Sequence, residues 1–303
     1  MILGIDIGGT TVKLGLIDPA GNILKRHEAS VCYDNYATPV LATVVREARL
    51  FSENCHAAIE GVGVSATGQI DVKTGVVIGT NGKIPHYEGS EIKKEMACAF
   101  GLPTVVLNDA NAAVLGEYFA GRAKGKRHVV MVTLGTGVGG GVIVDGRLLT
   151  GASGVAGELG HFTLYQNGLP CACGKRGCYE CYAAATALSR RVYEKTNKRL
   201  NGMAIFERLR SGDNTLNKIF DQWIDDIAAG LSGLVHIFNP EIVLIGGGVS
   251  RQEDLLIAPL RERVLETVMP RFAEHLQIDR GVLGNDAGMI GAAAFWLEST
   301  AAK

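Results

Sequence analysis

The sequence has no window of roughly eighteen consecutive apolar residues free of glycine and charge, so no membrane-spanning helix is read from it. Its opening, MILGIDIGGT, has neither a basic segment nor a long apolar one, and a secretory leader is not expected. Charge of one sign is not in excess either. A net charge of −1 gives no general pull toward nucleic acid or an anionic membrane. The spacing G-x-x-x-x-G-K-[ST] occurs nowhere, which excludes a Walker-type phosphate loop. There is no low-complexity stretch and no linker. The seven cysteines are odd in number, and Cys32, Cys55 and Cys98 are scattered. This pattern argues against a disulfide scaffold and for a reduced, cytoplasmic setting.

What is present is ordinary in bulk and uneven in detail. At 47% hydrophobic and 20% charged, the composition is that of a soluble globular protein, and 303 residues suffice for two domains with separate cores. The forty glycines cluster in a few places. Residues 2–7 (ILGIDI) read as a buried strand, Gly8-Gly9-Thr10-Thr11 as a turn, and Val12, Leu14 and Leu16 as a returning strand of period two. A second turn at 19–22 leads to a third strand, Ile23-Leu24-Lys25. Apolar residues 41, 44, 45, 48 and 51 have helical spacing; Gly61–Ser65 and Pro103–Leu107 read as strands, and 90–100 and 110–119 as helices.

From His128 the pattern starts again. VVMVTLGTGVGGGVIVDGRLL repeats the strand, glycine turn and strand of ILGIDIGGTTVKLGLIDPAGNIL. One supersecondary unit written twice predicts two related lobes whose glycine turns meet at a cleft. Farther on, Leu216 to Leu234 mark a broad apolar helix face, EIVLIGGGVS a strand ending in three glycines, and DLLIAPLRERVLETV a helix. The small residues of GNDAGMIGAAAFW suit close helix packing. The fold class read from this is α/β with mixed sheets.

Gly135-Thr136-Gly137-Val138-Gly139-Gly140 matches the dinucleotide pattern G-x-G-x-x-G after a strand. That turn must open a helix, whereas Gly141 to Gly146 reads as a further strand. Two hairpin turns remain, with Thr10, Thr11, Thr133 and Thr136 supplying hydroxyls beside exposed backbone amides. Such concavities cradle phosphate oxygens; the plainer alternative is that the glycines only make tight turns. Asp6 stands at the mouth of the first turn. A carboxylate there would repel a phosphate unless a cation intervened, so it is assigned to Mg²⁺ through water, with a turn-capping role as the alternative. Asn108-Asp109 ends a strand just before a helix, where α/β folds present reactive groups. Asp109 could accept a proton from a substrate hydroxyl, but Asp is also a favoured helix cap, and the residues alone favour the cap.

His161, Cys171, Cys173 and Cys178 lie within eighteen residues, flanked by Glu158 and Glu180. Three thiols and an imidazole at this spacing suit a structural Cys₃His zinc site, in which four protein ligands leave no position open for water. Cys181 is a competing ligand, and a redox thiol cluster is the alternative.

These motifs together resemble the ROK family (repressor, open reading frame, kinase), sugar kinases within the actin-like ATPase superfamily. The carriers of the resemblance are DIGGT at 6–10, LNDANAA at 107–113, LGTGVGGG at 134–141, GELGH at 157–161 with CACGKRGCYE at 171–180, and IGGGVS at 245–250. It implies a two-lobed, ribonuclease H-like fold with duplicated βββαβα lobes and a zinc-binding insertion. One lobe would comprise 1–117 and 289–303, with the first phosphate turn and the base; the other, 118–288, would hold the second turn, the zinc site and the adenosine region. The implied reaction moves the γ-phosphoryl group of ATP to the 6-hydroxyl of a hexose. Asp109 matches the base, and Asn108, Glu158, His161 and Glu180 match residues that hold sugar hydroxyls; Gly68 and Asn81, in loops near the sugar, are further expected substrate contacts. Asp6, Gly8, Gly9, Thr10, Thr11, Lys13, Thr133, Gly135, Thr136 and Gly137 match the ATP-phosphate and Mg²⁺ elements, and Gly246, Gly247 and Gly248 the adenosine region. His161 is implied to serve both zinc and sugar, and the zinc to hold the Glu158–Glu180 wall rigid.

In such a kinase positioning and charge neutralisation dominate, and closure of the lobes keeps water from taking the phosphoryl group. A homodimer, or a dimer of dimers, is implied as well. Glucose is the default substrate, with N-acetylmannosamine or another hexose as alternative, because Ala66-Thr67-Gly68 and residues 81–86 depart from the family's sugar loops and so bear on the sugar's identity more than on the reaction type. Regulators of the same family carry a helix-turn-helix before the first hairpin; here the hairpin starts at Met1, which disfavours that reading.

Overall fold

The computed structural model describes residues 1–80, 82 and 84–301. The chain divides into two compact units, one of Met1–Gly125, Arg147–Gly157 and Val282–Lys303, the other of Lys126–Gly146 and Glu158–Gly281. These limits differ from a division at 117/118 and 288/289. The carboxylate of Glu117, wholly buried, accepts the amides of Arg122 and Leu283 at 2.9 and 2.7 Å, which ties both flanking stretches to the first unit. Residues 147–157 join it through Asn111 Nδ2, which donates to the Ala156 carbonyl at 3.3 Å.

In chain order the first unit contains β1 (Ile2–Ile7), β2 (Thr11–Ile17), β3 (Ile23–Ser30), α1 (Val40–Glu53), β4 (Gly61–Ala66), β5 (Gln69–Asp71), β6 (Val76–Gly79), α2 (Ile92–Phe100), β7 (Thr104–Asn108) and α3 (Asp109–Ala120), and it ends with the helix Ala287–Ala301. Its five-stranded sheet has the order β3-β2-β1-β4-β7. β1 pairs antiparallel with β2 and parallel with β4, and β4 is parallel to β7. The strand-and-turn pattern places β1 correctly, and its near-continuous apolar run fits a central strand covered on both faces. β3 runs to Ser30 rather than stopping at Lys25. As an exposed edge strand it has no buried face to impose alternation, so Lys25-Arg26-His27-Glu28 reads as a loop.

The two faces of β1 do different things. Leu3, Ile5 and Ile7 are buried in a core with Val44 and Phe51 of α1 and Ile92 and Met96 of α2. Ile2 points the other way, into a core with Met289, Ala293 and Trp296 of the C-terminal helix. The register pairs Gly4 with Gly63 on that second face. A Cβ at Gly63 would lie 2.2 Å from the Ala292 carbonyl oxygen, and one at Gly4 2.7 Å from that of Met289. Two facing glycines thus clear a lane in which the helix lies directly on the sheet backbone. Two residues on, the same face carries the pair Asp6 and Ser65. Strand parity has delivered Asp6 to the carboxyl edge of the sheet, beside Gly288 at the start of the helix.

The second unit repeats this topology. β8 (Val129–Leu134) pairs antiparallel with β9 (Val138–Val144) and parallel with the strand Ile242–Gly246, which pairs in parallel with Gln277–Arg280. The glycine turn after β8 therefore opens a strand and not a helix, as the pattern of residues 141–146 requires. The helices are α4 (Glu180–Ala183), α5 (Ala185–Thr196), α6 (Gly202–Arg210) and α7 (Asn214–Phe238), followed by Ala258–Thr267 and Pro270–Ala273. The Asp213 carboxylate caps α7 by accepting the amides of Thr215 and Leu216, and Trp223, Ile227 and Leu231 on its inner face are fully buried. α5 and α6 have no counterpart in the sequence reading. No helix of the described residues is long and apolar enough to cross a membrane.

Candidate active site

In the first unit the carboxyl ends of β1, β4 and β7 share one edge, because the register pairs Ile7 with Ala66 and Ala66 with Asn108. The Gly8–Thr11 turn, Gly68 and Asn108-Asp109 all follow directly from these ends, the place where open α/β sheets bind ligands. In the turn, the Gly8 amide donates to Thr11 O at 2.9 Å, and Tyr36 Oη donates to Gly9 O at 2.7 Å. The amides of Gly9 and Thr10 donate to no protein atom among the described residues, and Thr10 is exposed at the tip. Gly9 has nothing closer to a would-be Cβ than Ile84 Cδ1 at 3.9 Å. No internal clash requires glycine at that position, and two open amides suit an anion from outside.

Asp6 sits behind the turn. Its Oδ1 accepts from Ser65 Oγ at 2.7 Å, and its Oδ2 faces Lys13 Nζ at 3.2 Å. Lys13 neutralises part of the carboxylate's charge. Nearby lies Tyr87, 2% exposed, whose hydroxyl has no partner among the described residues. Burial pushes its phenol well up, and the charges of Asp109 and Asp6 push it further. Neither Ser65 nor Tyr87 carries a motif. Ser65 is found only through the strand register, 59 residues from Asp6.

The competing roles of Asn108 and Asp109 separate cleanly. Asn108 is the cap: its Oδ1 accepts the amides of Ala110 and Asn111 at 3.0 and 3.2 Å, and its Nδ2 donates to Gly68 O at 2.9 Å. Its second Nδ2 proton has no acceptor among the described residues. Asp109 is the first residue of α3, exposed, with Oδ1 accepting the Ala110 amide at 2.8 Å. Asn108 thus holds the cap position, and Asp109 shares the Ala110 amide with it. Asn81 lies outside the described residues.

In the second unit the β8–β9 turn repeats the first. Thr136 is exposed at the tip, and the amides of Thr136 and Gly137 donate to no protein atom among the described residues. Gly246 pairs with Thr133, so Gly246–Gly248 leaves the sheet beside this turn. Gly247 has φ +85°, and a Cβ there would lie 2.2 Å from Leu134 O, so only glycine lets the strand end press against β8. Gly248 faces open space.

The Cys/His segment gathers as its spacing implies. The ligand atoms of His161, Cys171, Cys173 and Cys178 all lie within 4.8 Å of one another. His161 Nδ1 is 3.6 Å from Cys171 Sγ, and Cys173 Sγ is 3.6 Å from Cys178 Sγ. Four ligands around a tetrahedral zinc with bonds of about 2.0–2.3 Å would stand about 3.5–3.8 Å apart, so the donor set fits that ion. Cys181 is not in the cluster; its thiol turns to Pro170 O at 3.5 Å. Burial pushes the Cys178 thiol up to about 12, whereas a hydrogen bond from the Lys175 backbone holds Cys173 below its usual value. A metal would have to displace the Cys178 proton, which makes its uptake pH-dependent.

The loop is fastened to α7 along its length. Tyr165 Oη donates to Asp226, which also pairs with Arg191, and Tyr179 Oη donates to Ile227 O at 2.9 Å. Trp223 Nε1 donates to the carbonyls of Ala183 and Ala184. Glu158 is exposed and Glu180 half-buried, with one Glu180 oxygen already accepting the Val138 amide at 2.9 Å.

The chain is similar to several known proteins over nearly its whole length. The glucokinase of Thermotoga maritima is 37% identical, covering 97% of this chain and 96% of its own. The crystal structure of a ROK family glucokinase from Streptomyces griseus, in complex with glucose and AMPPNP, matches with a TM-score of 0.84 at 32% identity, covering 97% of this chain and 98% of that one. The ROK hexokinase from Thermus thermophilus matches with a TM-score of 0.86 at 31% identity, over 99% of both chains. The model of the ROK family matches residues 2–299, and this chain belongs to the ROK family.

Proposed function

We propose that this protein is an ATP-dependent hexose kinase, transferring the γ-phosphoryl group to the sugar's 6-hydroxyl, with glucose as the expected substrate. The observation that carries the reading is Asp109, an exposed carboxylate at the first position of α3, next to the Asn108 that caps the helix. Asp109 orients the attacking hydroxyl and takes its proton. The open amides of Gly9, Thr10, Thr136 and Gly137 receive phosphate oxygens, and Gly246–Gly248 receives the adenosine. Asp6 would hold Mg²⁺, which would supply charge neutralisation on the phosphates. Asn108, through its remaining Nδ2 proton, and Gly68, Asn81, Glu158, His161 and Glu180 hold the sugar. Zinc on His161, Cys171, Cys173 and Cys178 would be structural, fixing the loop between Glu158 and Glu180. With Nδ1 turned to the thiols, His161 keeps Nε2 for a sugar hydroxyl. The protein is placed in the cytoplasm and assembles as a homodimer in this reading.

The test is an ADP-release screen with ATP and Mg²⁺ over a dozen hexoses and amino sugars, against a sugar-free blank. Sugar-dependent release, greatest with glucose, is expected. Release with N-acetylmannosamine alone would reassign the substrate, and no release with any sugar would defeat the proposal.

A further inference from the structure

Three hydrogen bonds hold the β8–β9 turn from one short segment, Glu180–Thr186. Glu180 Oε2 accepts the Val138 amide at 2.9 Å, the Ala185 amide donates to Gly135 O at 3.0 Å, and Thr186 Oγ1 donates to Thr136 O at 2.8 Å. The carboxylate lies so close that a Cβ on Gly137 would stand 2.2 Å from Glu180 Oε2. The first unit's turn is held differently, by Tyr36 on Gly9 O and the Val31 amide on Thr10 O.

The peptide unit gives these contacts a direction. In a planar trans peptide, C=O and the following N–H point opposite ways. Anchoring the Gly135 carbonyl on Ala185 therefore aims the Thr136 amide away from α5. Anchoring the Thr136 carbonyl on Thr186 does the same for the Gly137 amide. These are the two amides of the turn that find no partner among the described residues. The segment that anchors them starts two residues after Cys178, is pinned by Tyr179 and Trp223 to α7, and is continuous with the thiol cluster.

We infer that the metal-binding loop positions the nucleotide-phosphate turn, with Thr186 as the positioning residue that aims the Gly137 amide. The inference rests on the proposed phosphate role of this turn. Its consequence is reciprocal coupling: metal at the cluster tightens nucleotide binding, and nucleotide tightens metal binding. The loop would thus serve the phosphates of the nucleotide as well as the sugar.

Thr186 is exposed, so Thr186→Val leaves the core alone while removing the donor. The affinity of the zinc-loaded protein for a non-hydrolysable ATP analogue with Mg²⁺ is measured by calorimetry, and glucose affinity in parallel. The expected result is about a tenfold loss for the nucleotide, no change for the sugar, and recovery in Thr186→Ser. Chelator-treated wild-type protein should lose nucleotide affinity in the same direction. Unchanged nucleotide affinity in the zinc-loaded Thr186→Val protein would overturn the inference while leaving the kinase reading intact. A protein that takes up no zinc would overturn it as well. A wild-type protein that binds no nucleotide at all would remove the kinase reading and this inference with it.

Discussion

Replacing Asp109 by Asn separates chemistry from stability, because the proposed base is Asp109 whereas the residue at the cap position of α3 is Asn108. Asn108 supplies the cap of α3, so the helix end keeps both of its capped amides in the variant. The new side chain also retains an oxygen where Asp109 Oδ1 now accepts the Ala110 amide at 2.8 Å. What the helix end loses is the interaction of one negative charge with its dipole, about 0.3–1 kcal/mol. For a chain of this size that lowers Tm by roughly 2–4 °C at most. What the reaction loses is a general base, worth about 10²–10⁴ in rate. At about 1.36 kcal/mol per tenfold, that is about 3–5 kcal/mol of transition-state stabilisation. The assay pairs kcat from coupled ADP release with thermal melting and a glucose titration. The expected outcome is a drop in kcat of about a hundredfold or more, with glucose affinity within a few-fold and a small change in melting. Retention of more than a tenth of kcat would refute Asp109 as the base. A loss of activity accompanied by a melting drop above about 10 °C would mean that the carboxylate holds the fold instead.

Three further outcomes follow from separate parts of the molecule. Cys178→Ala removes a thiol of the His/Cys cluster that is 1% exposed, and metal analysis should find one zinc per wild-type chain and none in the variant, with raised protease sensitivity in residues 161–178. Gly63→Ala places a Cβ 2.2 Å from the Ala292 carbonyl oxygen, forcing the C-terminal helix off the sheet; chemical unfolding should show a loss of about 3 kcal/mol. Tyr87→Phe deletes a buried hydroxyl that has no partner among the described residues, and the variant should be as stable as the parent or about 1 kcal/mol more stable, read by the same method.

Local features were legible in the sequence and register-dependent ones were not. The His/Cys cluster is the clearest case, since its four members fall within residues 161–178 and need no long-range pairing to be noticed. Both glycine hairpins could be read because a tight turn between two period-two strands is itself a local pattern. The partnership of Asp6 with Ser65 depends on how β1 aligns with β4, which no short window contains. For the same reason Gly4 and Gly63 read only as glycines in strands, although their use is to admit a helix more than two hundred residues later. Asn108 and Asp109 are both good caps by type, and only the geometry of their side chains distinguishes them. α5 escaped notice because its buried residues, Ala187, Leu188 and Val192, make a thin stripe with no capping side chain before it. The strand Gln277–Arg280 buries Ile278 alone and so carries almost no periodic signal. The helix read at residues 254–268 is regular only over Ala258–Thr267, with a wider π turn at Glu253–Ile257 ahead of its Pro259.

The most direct measurement is identification of the product by phosphorus NMR after incubating the protein with ATP, Mg²⁺ and glucose. The account predicts a phosphate monoester on the sugar's 6-oxygen, formed in equal amount with ADP and absent when Asp109→Asn replaces the wild type. ATP converted to ADP and inorganic phosphate with no sugar ester, from glucose or any other hexose, would contradict it.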